Sequence, residues 1–440
     1  MKQPSDMRSV VPGGPVRRRR AVLAAAFAGA LAGAFASAAL GPSVANRAGE
    51  LPGATPGASR QVMRPFRVAI WVRQESVEDP EGVRAALAVA RRVGADTLVV
   101  QVLARGQAAY RSSIWPAPTG RDPLGSLLEA ADRLGLSVYA WVNAYTWGRL
   151  DLPPADPQHP LARHPEWVTV DRSGRSVWRY RVGESPEVNA LFVDPAMEGV
   201  RRTMVETVLE IARRYDVDGI QLDYVRYPSP DLGFHPLALR DFWEREAPVL
   251  ASGRSGTAGG GGPQGGSPTR SMAMVALPST PQERQAWDRY RSDQVTKLVR
   301  EASAARKRDG LPVRLSAAVL PDAQRARREF FQDWPAWLAE GLVDEVHLMS
   351  YTADPRQLQR WVRAAVEMAG GRPVLAGIGV YQVEPGQAAR LVELVRSARD
   401  AGAAGVVYFS FESLEGRPDL VEAARAALEA PVPATSGTLP

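Results

Sequence analysis

The 440-residue chain contains no cysteine. That excludes disulfides, thiol nucleophiles, thiolate metal sites and a lipid-modified cysteine. Histidine is nearly as scarce, at four residues. His159 and His164 flank "PLAR", His235 and His347 stand apart, and none sits in a His-Glu-x-x-His arrangement. No obligatory metal is expected. Also missing is any Gly-x-Gly-x-x-Gly or Walker-type loop after an apolar strand. A nucleotide-binding open sheet therefore lacks its main support, and no cofactor is expected.

Excess charge of one sign is lacking too, once the N-terminus is set aside. The formal charge of +6 comes from 54 basic and 48 acidic residues. Residues 1–38 hold six of those bases (Lys2, Arg8, Arg17, Arg18, Arg19 and Arg20) and one acid, Asp6. The remainder has 48 bases and 47 acids, a net of +1. Nucleic acid is not expected as a partner.

One long uncharged run stands out. Four arginines precede "AVLAAAFAGALAGAFASAAL" (21–40), and "ASA" at 36–38 has the small residues a signal peptidase needs. Residues 1–40 read as a signal peptide or a membrane anchor, since about 20 apolar residues can span a bilayer. The adjacent arginines also allow a twin-arginine export route. Either way the body is expected to be secreted or extracytoplasmic, with a membrane tether through 21–40 as the alternative to cleavage. Residues 41–64 form a Pro/Gly/Ser/Ala tether. The Gly-rich stretch 251–271 reads as a disordered insertion, and 431–440 as a loose tail.

Between these segments the chain alternates. Apolar strands are expected at 67–73, 97–103, 137–145, 219–225, 313–319, 345–351, 373–381 and 405–411. Amphipathic helices are expected at 81–95, 123–136, 200–214, 283–308, 356–369, 387–402 and 418–429. Near-continuous apolar strands alternating with helices imply a parallel sheet covered on both faces. Eight units over 65–430 predict an α/β protein with a single (β/α)8 TIM barrel, and a monomer is expected.

Chemistry in such a barrel is built where the strands end. The strand ends read Trp71 and Arg73, Gln101, Asn143 and Tyr145, then Asp223, Arg226 and Tyr227. Asp322, Tyr351, Tyr381 with Glu384, and Glu412 follow. Each has a plain structural explanation; Asp322, for instance, is a natural turn residue after Pro321. Together they present acids from four strands beside aromatic faces, which suits cleavage of a polysaccharide.

The stretches "TLVVQVLARGQAAYRSSIWP", "DPLGSLLEAADRLGLSVYAWVNAY", "YDVDGIQLDYVRYP" and "WLAEGLVDEVHLMSY" resemble glycosyl-hydrolase-like family 10. The resemblance runs from about Phe66 to about Glu412. It implies a secreted (β/α)8 glycoside hydrolase with Asp223 at the active-site end of strand four, and Asn143 and Gln101 lining the cleft. Gln107 stands where that family commonly has an acid, and "HLMSY" lacks its usual Pro-Gln. "DGIQLDY" also echoes the family 18 chitinases, but Val225 replaces their terminal glutamate, so their proton donor is missing.

Asp223 then has two readings. It could pair with Arg226, Arg105 or Arg73 and hold the rim together. Or it could be the ionised nucleophile or charge stabiliser, positioned by a guanidinium, with Tyr227 adding a hydrogen bond. The second reading needs a general acid of raised pKa. Glu412 is the first candidate, with Phe409 and Phe411 as its apolar wall; Asp322 and Glu384 stay open. A non-catalytic carbohydrate-binding barrel, or a deacetylase or lyase on the same polymers, remains the alternative.

Overall fold

The structure, a computed structural model, describes residues 65–185, 187–252 and 276–429. The expectations for 1–40, 41–64, 431–440 and nearly all of 251–271 lie outside those residues.

Eight parallel strands close on themselves. They are β1 (Arg67–Val72), β2 (Thr97–Ala104), β3 (Ser137–Asn143), β4 (Gly219–Asp223), β5 (Arg314–Val319), β6 (Glu345–Leu348), β7 (Val374–Gly379) and β8 (Gly405–Phe409). Each pairs with the next, and β1 pairs with both β2 and β8, which completes the barrel. Six of the eight strands end one to three residues earlier than the sequence pattern suggested, β5 ends as expected and β2 one residue later. Helices follow in alternation, at Pro80–Val93, Pro123–Asp132, Glu198–Arg214, Pro281–Arg308, Pro355–Met368, Ala389–Asp400 and Pro418–Glu429. Two more, Ala323–Phe330 and Trp334–Ala339, lie between β5 and β6. At eight and six residues, both are too short to register as a sustained amphipathic period. A further helix, Pro236–Ser252, runs two residues into the stretch read as a Gly-rich insertion.

Local chemistry starts these helices. Three begin with Asp-Pro: Asp79, Asp122 and Asp354 each accept a hydrogen bond from a backbone N–H of the first turn, with proline next in sequence. Proline costs nothing there because its missing N–H would have had no helical partner. Thr280 and Glu283 form a reciprocal capping box at the start of the helix Pro281–Arg308.

A different use of aspartate ties the barrel floor. Asp96, Asp218 and Asp344, each near the start of an even-numbered strand, accept the N–H of Val68, Val138 and Leu315, near the starts of β1, β3 and β5, all at 2.8 Å. The first described residue, Pro65, therefore enters at this floor, opposite the strand C-termini. The helix Pro418–Glu429 closes the ring by packing against Pro80–Val93.

Apolar side chains form two separate layers. The larger lies between strands and helices. The smaller, inside the barrel, consists of Ala69, Trp71, Val99, Tyr139, Trp141, Leu375 and Val407. Trp71 crosses this interior, and glycine at 377 makes room for it. A Cβ there would lie 2.2 Å from the Leu348 carbonyl oxygen and 2.9 Å from the Trp71 ring. Gly377→Ala should accordingly cost about 2 kcal/mol or more, by the usual penalty for overpacking. Urea unfolding checks this, and an unchanged midpoint would contradict the close contact.

The connections at the strand C-termini are unequal in length. Residues 144–197, between β3 and the helix Glu198–Arg214, include an antiparallel pair of Thr146–Gly148 with Leu191–Phe192. An isolated bridge joins Asp171 in this excursion to Leu232 in the connection after β4. One wall of the rim is thus built by two successive connections.

Candidate active site

Period-two alternation carries side chains of β4 into the barrel at Gln221 and again at Asp223. Asp223 is the last strand residue and is 6% exposed. Directly after it, Tyr224 takes a φ of 49°, a left-handed conformation rare for a side chain of this size. That bend ends the strand and brings the Tyr224 N–H to within 2.6 Å of Asp223 Oδ1, to which it donates. Trp141 Nε1 donates to the other oxygen, Oδ2, at 3.1 Å. The guanidinium of Arg226 approaches Oδ1 at 3.8 Å and stacks over the Tyr224 ring at 4.7 Å.

Burial dominates the electrostatics of this carboxyl. Desolvation raises the pKa of Asp223 above its ordinary value of 3.8; Arg226 and the two N–H donors pull the other way without cancelling it. Among the described residues, no second carboxylate is among the groups that shift Asp223.

From Asp223 a line of contacts runs round the rim. Asn143 is its register neighbour on β3. Gln101 Nε2 donates to Asn143 Oδ1 at 3.3 Å, and the Gln74 N–H donates to Gln101 Oε1 at 3.4 Å. The adjacent Arg73 N–H donates to Glu412 Oε1 at 3.0 Å. On the other side lies an aromatic wall. Tyr351 meets Phe409 at 5.1 Å, Tyr381 at 6.1 Å and Trp71 at 6.2 Å between ring centres. Burial raises the pKa of Tyr351, and the charge of Asp223 adds to it. Tyr381 is 55% exposed, an open face against which a sugar ring can stack.

Glu412 differs from the expectation of a raised pKa. It accepts from the Ser76 hydroxyl at 2.6 Å, from the Ser410 hydroxyl and from the Arg73 N–H, and pairs with Arg73 Nε at 3.2 Å. Burial pushes its pKa up, but these bonds outweigh burial and hold it below the ordinary 4.5. Its proton is gone at neutral pH. The carboxyl whose pKa is raised is Asp223, so the upward shift expected of Glu412 falls on Asp223 instead.

Four other residues stand apart from Asp223. Tyr227 is fully buried, and its hydroxyl donates to Asp194 Oδ1 at 3.0 Å rather than to Asp223. The left-handed turn at Tyr224 sends it into the strand–helix layer. Tyr145 also belongs to that layer, because β3 ends at Asn143 and the alternation ends with it. Asp322 is exposed and caps the helix Ala323–Phe330 by accepting from the Arg325 N–H at 2.9 Å. Glu384 is exposed in the connection after β7. Tyr227→Phe should therefore leave substrate affinity unchanged and cost about 1 kcal/mol for the lost bond to Asp194. A raised KM in that variant would return Tyr227 to the binding surface.

Sequence reasoning missed Trp141 and Tyr224, and it placed Phe409 beside Glu412 rather than in the wall with Tyr351 and Trp71. Trp141 was accessible by parity, since it precedes Asn143 by two on one strand face. No sequence signal marked the positive φ of Tyr224. A cavity of about 380 Å³ is lined by Tyr180, Pro228–Leu232 and Phe330 among others, and Asp223 does not line it. Among the described residues no cluster of three metal-ligating side chains occurs.

The fold is a closed parallel (β/α)8 barrel, with a buried acid at the end of its fourth strand and an aromatic wall on the same rim. Solved structures share the barrel. The PgaB (BpsB) glycoside hydrolase domain from Bordetella bronchiseptica aligns with a TM-score of 0.57 at 18% identity, over 83% of this chain and 99% of that one. Alpha-L-fucosidase isoenzyme 2 from Paenibacillus thiaminolyticus aligns at 0.54 and 16% identity, over 83% and 49%. The chain belongs to the family described as Glycosyl hydrolase-like 10, whose family model matches residues 68–387. It is similar to glycosyl hydrolase YngK of Bacillus subtilis, 25% identical over 31% of this chain and 26% of that protein. It is also similar to glycosyl hydrolase DigH of Escherichia coli K12, 29% identical over 32% and 33%. These matches span about a quarter to a third of the relatives' lengths.

Proposed function

We propose that the protein is an exported enzyme that cleaves glycosidic bonds in a cell-wall or extracellular polysaccharide, with Asp223 as the proton-transfer group. The observation that carries this reading is the raised pKa of one desolvated carboxyl beside an aromatic wall. A protonated Asp223 can give its proton to the departing glycosidic oxygen. The carboxylate left behind is then met by the N–H groups of Trp141 and Tyr224 and by the charge of Arg226. Those donors are already in place, so no reorganisation is needed when the charge forms. Tyr381 and Tyr351 offer faces for sugar rings, and Gln101 and Asn143 offer polar groups for sugar hydroxyls.

Export rests on the basic leader and uncharged run of residues 1–40, and a polymeric substrate on the open rim. A second reading, a glycan-binding barrel without catalysis, is favoured by the absence, among the described residues, of a second carboxylate from the groups that shift Asp223. One experiment separates them. The protein and its Asp223→Asn variant are incubated with a panel of bacterial wall and capsular polysaccharides, and reducing ends are counted. Release by the parent and not the variant supports the enzyme. Retention of a polysaccharide on the protein without release by either supports the binding module.

A further inference from the structure

The barrel interior holds a row of polar groups that the reaction does not use. Trp71 Nε1 lies 2.6 Å from Gln221 Oε1, and Gln221 Nε2 lies 2.5 Å from His347 Nδ1. His347 Nε2 is 3.0 Å from Glu345 Oε1. The other oxygen of Glu345 takes Arg67 Nη1 at 2.6 Å and Arg314 Nη1 at 3.3 Å. Gln221, His347 and Glu345 are each 0% exposed. The row starts at the charged floor of the barrel and ends at the indole beneath the aromatic wall.

The chemistry of the groups fixes its direction. An indole nitrogen can only donate, so Gln221 must present its oxygen to Trp71 and its NH2 to His347. His347 Nδ1 must then accept, which leaves its proton on Nε2, aimed at the carboxylate of Glu345. A second proton on His347 would set Nδ1–H against the Gln221 NH2, and turning the amide would set NH2 against the indole N–H. Each link therefore has one assignment. The ring of Tyr139 lies 6.2 Å from that of His347, and the charge of Arg67 also acts on His347.

Trp71 in turn sets the aromatic wall. Its ring packs on Gly377 and meets Tyr351 and Phe409 edge-on at 6.2 and 5.8 Å. We propose that His347 is a positioning residue: held as the neutral Nε2–H tautomer between Gln221 and Glu345, it locks Trp71 in one rotamer and so places the sugar-stacking wall of Tyr351 and Phe409. The role in stacking rests on the glycan reading of the site; the tautomer does not. Burial drives the pKa of His347 down, in keeping with a neutral ring beside an ionised carboxylate.

Four histidines make the imidazole resonances assignable by nitrogen-15 NMR, with His347→Gln identifying the signal. The expected result is an Nε2–H tautomer that does not titrate between pH 5 and 8, a window that spans the ordinary histidine range of about 6.5. In Gln221→Glu, a carboxylate faces Nδ1, and His347 should become protonated across that window. An Nδ1–H tautomer, or titration in the parent protein, overturns the row. Kinetics test the positioning role. His347→Leu should raise KM about tenfold with kcat within about twofold, the signature of lost uniform binding. His347→Gln, which keeps one acceptor and one donor, should restore KM. A folded His347→Leu protein with unchanged KM overturns the positioning role. Should the parent cleave no polysaccharide, the functional reading fails, and the tautomer still decides the row.

Discussion

Asp223→Asn should cut hydrolysis by about 10²-fold or more and, at neutral pH and above, raise the melting temperature. Loss of a general acid costs roughly 10²- to 10⁴-fold in rate. The stability change follows from the raised folded-state pKa of Asp223. For such a group the stabilising contribution is fully present below the unfolded value of 3.8. It is lost as pH rises through the higher folded value, because the barrel prefers the neutral form. The amide is neutral at every pH and keeps one acceptor for the Tyr224 N–H, as the protonated acid does. Thermal scans of both proteins at pH 4 and pH 8 test this, with the variant's advantage growing toward pH 8. A variant that hydrolyses normally and melts earlier would make Asp223 a structural partner of Arg226. The pH–rate profile gives a second check: activity should fall as pH rises through the same pKa.

Glu345→Leu should be the most destabilising single change in the barrel interior. The carboxylate is fully buried, and its removal strands Arg67, whose side chain is only 20% exposed, and leaves His347 Nε2 without an acceptor. Breaking a buried pair in this way costs about 3 to 5 kcal/mol. Arg314, 51% exposed, can turn to water, which favours the lower end. Burial pushes the pKa of Glu345 up, but His347 and Arg67 bring it from 4.5 down to about 2. Its contribution is therefore present above pH 4.5 and lost as pH falls toward 2. Acid unfolding of the parent should show this slope, and Glu345→Leu should lack it. Equal acid sensitivity in both proteins would show that Glu345 is not the group titrating.

The strand order was legible because each strand is a short apolar run bounded by turn residues, a pattern set by burial on both faces. The strand ends were less so. The reading carried β3 to Tyr145 and β4 to Val225, whereas the pleat stops at Asn143 and Asp223. Past those points the face a side chain takes depends on local dihedrals, so Tyr145 and Tyr227 were placed on the rim and lie in the core. Asp223, Asn143 and Gln101 were legible because they sit within regular strands. The contacts of Gln221 were not, since its partners Trp71 and His347 are 150 and 126 residues away. Nothing local in sequence signals a bond across a barrel. Protonation states were the least legible of all. Glu412 and Asp223 are both carboxyls, and only burial weighed against the donors around each separates them.

The floor where Asp96, Asp218 and Asp344 tie the strand starts is also where the described chain begins, at Pro65. The rim that carries Asp223 is at the far end of the same strands. Coupling the protein to a solid support upstream of Pro65 should thus turn the reactive side outward, toward polymers too large to diffuse beneath it. Coupling through the exposed connection at Glu384, beside the rim, should block the same polymers while still admitting short fragments.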